Sequence, residues 1–322
     1  MPAPAGRGGR ARPDAIDSCA VSRSSTSKPR AALLLALAAL TLLLVLPAAA
    51  SAQIGEWRHA WEVVQLVRLA PPQGTPIFYL GDSTARESTV RDALWTLQVR
   101  RRATAAGRTT ATVVFTLASH GQTFGMDRQL VASMPPRADH TPRGIALICV
   151  GLSRFIGPPI RRQPSAVTPP APGRGPVLHP WIQHLYTDRA PLPLTRKYEL
   201  VPRWMRRRWT GFRSSLSANF AALDGLLALC RARGLRPVFV DAPLDVRVVG
   251  HGLDKARAAY HAGCRRLARR YHAPFFSLQP PAPLPTADFW DLMHLLPPGE
   301  RIWQSRFSHR LVKLLPKDQP AS

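Results

Sequence analysis

Five short apolar runs, separated by stretches of helical periodicity, constrain this chain more than any other feature. Pro76–Leu80 (PIFYL), Ala111–Ala118 (ATVVFTLA), Gly144–Val150 (GIALICV), Arg236–Asp241 (RPVFVD) and Pro274–Leu278 (PFFSL) read as strands. They are too short for helices and rich in β-branched and aromatic residues. Pro76–Leu80 and Gly144–Val150 are apolar at successive positions, the pattern of strands covered on both faces. Helical stretches fall between them: Ala85–Arg102, Thr123–Ser133, Ser214–Arg233, Leu253–Tyr271 and Pro298–Leu315, with an amphipathic helix near Trp57–Val67. Gly234 directly follows Ser214–Arg233 and is a favoured residue for ending a helix. Strands alternating with helices predict an α/β fold of three layers, α/β/α, around a mainly parallel five-stranded sheet.

The N-terminus predicts a compartment. Residues 1–31 form a basic region with six cations against Asp14 and Asp17. From Ala31 to Leu46 no residue is charged, and small residues then run to Ala50-Ser51-Ala52. A basic stretch, an apolar run and an A-x-A site form an export signal. Residues 32–52 are therefore expected to be a signal peptide, or an uncleaved signal-anchor, with the remainder secreted or membrane-anchored on the extracytoplasmic side. Residues 53–75 read as linker and helix, 76–315 as the folded domain, and 316–322 as a tail.

Within that domain, residues 158–212 hold eleven prolines and nine arginines, so they read as an inserted segment without long regular structure. Arg203-Trp204-Met205-Arg206-Arg207-Arg208-Trp209 has two readings: a contact for an anionic membrane or polymer, or a loop whose tryptophans pack while its arginines stay solvated. The whole chain carries 44 Lys plus Arg against 19 Asp plus Glu, and a formal charge of +25. After residue 52 the net charge is still +21, from 38 cations and 17 anions. For an exported chain this balance points to an anionic envelope partner rather than nucleic acid, or to compositional arginine bias alone. Hydrophobics at 45% exclude wholesale disorder. Four cysteines without CxxC or CxxH spacing exclude a disulfide scaffold and a structural zinc site; only Cys230 and Cys264, both on expected helices, are candidates to pair, and the sequence leaves their separation open.

In a parallel sheet, sites gather beyond the carboxyl ends of the strands. Ser83 directly follows the first strand and precedes a helix. Asp291 and His294 lie three apart in the loop after the fifth strand. On a helical turn that spacing brings a carboxylate to one imidazole nitrogen and leaves the other for a serine. Such a base and its orienter activate a neutral hydroxyl. Asp288 is a competing carboxylate for the same imidazole. Gly121, after the second strand, permits close backbone approach and can offer an N–H to an oxyanion. Asp82 reads as a helix cap, and the remaining histidines as structural or solvated.

These blocks resemble the SGNH/GDSL hydrolase superfamily. Tyr79-Leu80-Gly81-Asp82-Ser83 is similar to its first block, Ala118-Ser119-His120-Gly121-Gln122-Thr123 to its second, and Asp291-Leu292-Met293-His294 to its last. Its third block, G-x-N, corresponds to Gly151-Leu152-Ser153, with serine where the family places asparagine. The resemblance covers roughly residues 76–315 and implies the SGNH, flavodoxin-like form of the three-layer fold. It implies a Ser83 nucleophile, a His294 base and an Asp291 orienter, with Ser83, Gly121 and Ser153 as the oxyanion hole. No cofactor or metal is implied. The export signal adds a looser likeness to envelope enzymes acting on acyl esters of cell-wall polysaccharide or lipid, by hydrolysis or by O-acyl transfer. The alternative is a non-catalytic protein of the same fold that holds anionic envelope polymers, which the serine in the third block favours.

Overall fold

The computed structural model describes residues 57–69, 72, 74–108, 111–135, 144–157, 188–279 and 282–317. The expected export signal, and most of the Pro/Arg-rich segment with Trp181 and Tyr186, lie outside them. Among the described residues no helix is long and apolar enough to cross a membrane.

A five-stranded sheet organises the domain. Its strands are β1 (Thr75–Gly81), β2 (Thr112–Ala118), β3 (Gly144–Val150), β4 (Leu235–Asp241) and the two-residue β5 (Phe275–Phe276). They lie in the order β2-β1-β3-β4-β5, and every pairing is parallel. Side chains alternate across the strands, so each apolar run supplies two cores. Ile77, Tyr79, Ile145, Leu147, Val238 and Val240 face one; Phe78, Leu80, Ala146, Ile148 and Phe239 face the other. The first core is closed by α3 (Asp92–Ala105) and α8 (Pro297–Val312). The second is closed by α1 (residues 57–69), α4 (Phe124–Ala132), α5 (Leu194–Ala232), the short α6 (Val246–Val249) and α7 (Asp254–Arg270).

Two expectations need correction. The helix expected over Ala85–Arg102 is two, α2 (Ser83–Arg86) and α3. Ser88 interrupts it by turning its Oγ onto Ala85 O at 2.7 Å and Tyr79 Oη at 3.1 Å, and Gln304 Oε1 takes the Val90 N–H at 2.9 Å. The helix expected to begin at Ser214 begins at Leu194 and runs 39 residues, straight through Pro202. Proline inside a helix costs about 3 kcal/mol. Burial of Phe212, Leu223, Leu226, Leu227 and Cys230 offsets that cost, and Trp204 and Trp209 pack against the same core. The pairing of Cys230 with Cys264, which the sequence leaves open, does not form: both are buried free thiols, as is Cys149.

The outer edge of β2 is closed by side chains instead of a strand. From α3, Asp92 accepts from Thr116 N and Oγ1 at 2.9 and 2.7 Å, Thr96 Oγ1 accepts from Val114 N at 3.0 Å, and Arg100 donates to Thr112 O at 2.8 Å. Residues four apart on a helix thus meet residues two apart on a strand, and the unpaired edge is removed. Asp92→Ala strands the Thr116 N–H and hydroxyl, and is expected to cost about 1–3 kcal/mol of unfolding free energy in a denaturant titration. An unchanged midpoint would show that Asp92 does not hold this edge.

Candidate active site

The order of the strands selects one rim. From β1 the chain crosses to β2 on one side and later returns to β3 on the other, so the sheet's switch point lies between β1 and β3. The turn after β1 opens there. Gly81 ends the strand where a Cβ would lie 2.3 Å from the Ala85 Cβ and 2.9 Å from the Cys149 Cβ, so only glycine fits. Asp82 caps α2 by accepting from Thr84 N at 3.1 Å. Ser83 is the first residue of that helix and is half-buried. Its N–H belongs to the first turn, where backbone donors have no partner within the helix.

The loop before α8 folds back on itself. Phe289 pairs with Leu295 as an antiparallel bridge, Trp290 N donates to His294 O at 2.9 Å, and Leu296 N donates to Asp288 O at 2.8 Å. At its tip Asp291 Oδ1 accepts from Met293 N at 2.8 Å and His294 N at 2.9 Å, forming an Asx turn. The i, i+3 spacing therefore works through a side-chain-capped turn, not through the helical turn expected. Asp291 Oδ2 lies 2.9 Å from His294 Nδ1, and His294 Nε2 lies 3.0 Å from Ser83 Oγ. An ionised Asp291 accepts from Nδ1–H, which leaves Nε2 to accept the serine proton. Asp288 is buried, burial raises its carboxyl, and its Oδ2 has no hydrogen-bond partner.

The electrostatics of the pair reinforce this arrangement. Burial disfavours the charged imidazole, but the charge and hydrogen bond of Asp291 outweigh it, with smaller contributions from Asp82 and Glu87. His294 is thereby held above its usual 6.5. Burial likewise raises Asp291, and the imidazolium with the hydrogen bonds from His294 and Met293 brings it below the usual carboxylate value.

The other expected residues separate. Gly121 follows β2, beside β1, with a left-handed φ of 69° that favours glycine. Ser153, on the 3-10 turn Leu152–Phe155 after β3, donates its hydroxyl to Asp82 Oδ2 at 2.6 Å. Its one proton is committed there, so the side chain offers no donor to an oxyanion; its place is to tie β3's turn to the cap of α2. Among the described residues no group of three or more His, Cys, Asp or Glu side chains is placed to hold a metal ion.

Two buried networks support the rim and escaped sequence reasoning. Arg154 donates to Asp127 Oδ2 at 2.6 Å and to Cys149 O at 3.1 Å, with its guanidinium 4.1 Å from the Phe124 ring centroid. Asp127 Oδ1 accepts from Gln122, which also bonds Leu117 O and Ser119 Oγ, so the Gly121 turn is braced from below. The one sequence signal was Asp127's place on the buried stripe of α4 with Leu130 and Val131. In the second network Lys197 of α5 donates to Thr286 O at 2.7 Å and Phe289 O at 2.6 Å, and its ammonium lies 3.7 Å from Asp245 Oδ2. Burial lowers the lysine and raises the aspartic acid, while their attraction opposes both shifts. Thr286 Oγ1 completes the set on Asp245 Oδ1 at 3.1 Å. Lys197 is 1% exposed and grips the loop that carries Asp291 and His294.

No protein-family model and no curated protein matches the chain. Among solved structures it is similar to a lipase/acylhydrolase from Enterococcus faecalis, with 10% identity and a TM-score of 0.41 over 76% of this chain and 99% of that one. It is also similar to LAE5, an alpha/beta hydrolase enzyme from the metagenome of Lake Arreo, Spain. There the identity is 11% and the TM-score 0.37, over 74% of this chain and 97% of that one.

The pair has a direct test. In an NMR pH titration the His294 imidazole is expected to titrate above 6.5, and Asp291→Asn to bring it down. Because the His294 value is raised, its contribution to stability is complete below its unfolded value and lost as pH rises through the folded one. Because the Asp291 value is lowered, its contribution is lost as pH falls through its folded one, so the pair stabilises the fold between the two. An imidazole titrating below 6.5 in the wild type would contradict the arrangement.

Proposed function

We propose that this chain performs acyl-ester chemistry through a covalent intermediate on Ser83. The single observation that carries the reading is the continuous chain of contacts from Asp291 Oδ2 through His294 to Ser83 Oγ, at 2.9 and 3.0 Å. A nucleophile in reach of a base, and that base in reach of an orienter, is the arrangement this chemistry requires.

In the first step the Ser83 proton passes to His294 Nε2 as Oγ bonds to the ester carbonyl carbon. Asp291 stabilises the imidazolium that forms. The N–H groups of Ser83 and Gly121 receive the oxyanion. The ester C–O bond then breaks, and His294 returns the proton to the departing alcohol, leaving the acyl group on Ser83. In the second step an acceptor hydroxyl gives its proton to Nε2 as its oxygen bonds to the acyl carbon. The bond from that carbon to Oγ then breaks and Nε2 returns the proton to Oγ, which restores Ser83 and His294. Water as acceptor makes the chain a hydrolase of SGNH type; a glycan hydroxyl makes it an O-acyltransferase. The basic, then uncharged N-terminal sequence supports an exported protein, and the excess of arginine supports ester substrates on anionic cell-envelope glycans or lipids.

A second reading follows from Ser153. With its hydroxyl held by Asp82, the third-block side chain supplies nothing to the oxyanion, which favours a non-catalytic binder of anionic polymers. Turnover of aryl acetates separates the two. Ser83→Ala and His294→Ala are each expected to lower kcat/KM by roughly a thousandfold or more, with the double variant hardly worse, because the residues act as a unit. Absence of turnover in the wild type supports the binder; turnover that survives Ser83→Ala places the nucleophile elsewhere.

A further inference from the structure

On the face of the sheet that α3 and α8 cover, cations outnumber carboxylates, and the carboxylates are committed or buried. The two helices carry Arg100, Arg101, Arg102, Arg301, Arg306 and Arg310, together with His309. Their carboxylates are Asp92, which accepts from Thr116 at the β2 edge, and Glu300, which is buried. Part of the positive charge gathers in a groove of about 480 Å³ bounded by α3, α8 and the segment after β5. Arg102, Ser305, Arg306, His309, Arg310 and Ser277 line it, and none of the described lining residues is acidic.

Two of these arginines are set in place without being used up. Arg102 Nη2 donates to Ser305 Oγ at 2.8 Å, and Arg306 Nη1 donates to Leu278 O at 3.2 Å. Each tether takes one nitrogen and leaves the others of that guanidinium for a ligand. Ser305 accepts from Arg102 and keeps its own proton to donate. His309 and Arg310 are exposed, and their side chains bond to no described residue. A side chain that is already held loses little freedom on binding. The carbonyl ends of α3 and α8 carry about one unit of negative charge between them, less than the three guanidiniums supply.

We propose that this groove binds a polymer of phosphodiester-linked polyol or sugar units. Three guanidiniums in one groove suit a ligand whose charge repeats. Arginine matches phosphate oxygens through its planar fork. A phosphodiester carries oxygens on every side of its phosphorus, so donors from α3, α8 and the segment after β5 can meet one linkage. Nucleic acid has the same linkage, but single strands are held by aromatic rings that stack on their bases. No Phe, Tyr or Trp among the described residues lines the groove. Binding at this site is separate from the Ser83 chemistry and does not depend on it.

The full chain is titrated by calorimetry with a hexamer of glycerol phosphate. Arg306→Gln combined with Arg310→Gln is expected to weaken binding roughly three- to thirtyfold, and rising salt to weaken it in the wild type. The same loss of two charges on α7, Arg265→Gln with Arg269→Gln, is expected to leave the affinity within about twofold. Arg310→Gln alone breaks no bond among the described residues, and is expected to give part of the loss at an unchanged melting temperature. Failure of the hexamer to bind, full affinity in Arg310→Gln, or equal losses in the two double variants overturns the proposal. Hexagalacturonate bound as tightly as the hexamer overturns the choice of phosphate. A thymidine hexanucleotide bound roughly tenfold more tightly through the same arginines makes this a nucleic-acid site and overturns the choice of polymer.

Discussion

Everything at the rim depends on a sheet whose strands are all parallel and which helices cover on both faces. Parallel strands force each connection to cross over the sheet, so every β-to-α turn emerges at the same edge. The single change of direction between β1 and β3 then opens a gap at that edge, and the turn carrying Ser83 enters it. β5 contributes only two residues, yet it directs the chain to the same rim and delivers the loop that bears Asp291 and His294.

The placement of the reacting groups is held by polar contacts buried beneath them. Ser153 and Asp82 join the turns after β3 and β1, and Arg154 with Asp127 and Gln122 braces the Gly121 turn. Lys197 and Asp245 fix the hairpin of the last loop. A buried ion pair contributes little net stability, because desolvation opposes the attraction, but removing one partner leaves a costly lone charge. These pairs are best understood as fixing geometry, a reading in keeping with their bonds to backbone carbonyls at the turns.

Much of the fold was legible because strand burial writes itself as apolar runs. Gly144–Val150 matches β3 at both ends, and the β2 and β4 runs differ from the observed strands by one residue. The site residues were visible for a different reason: Ser83 sits at a strand-to-helix turn, and Asp291 lies three before His294. What sequence did not reveal depends on contacts between distant segments. Pro202 argues locally against a helix, and only the core beneath α5 overrides it. Lys197 reads as one cation among many until the oxygens of Thr286 and Phe289, about ninety residues away, surround it. Ser153 reads as a stand-in for asparagine until its hydroxyl is seen to donate to Asp82.

The central claim is that His294 makes Ser83 a nucleophile. Peptide mass mapping after exposure of the full chain to a fluorophosphonate tests it most directly, since only an activated serine reacts readily. The account predicts one adduct, on the peptide carrying Ser83, formed far more slowly in His294→Ala. An unlabelled Ser83, or labelling indifferent to His294, would contradict it.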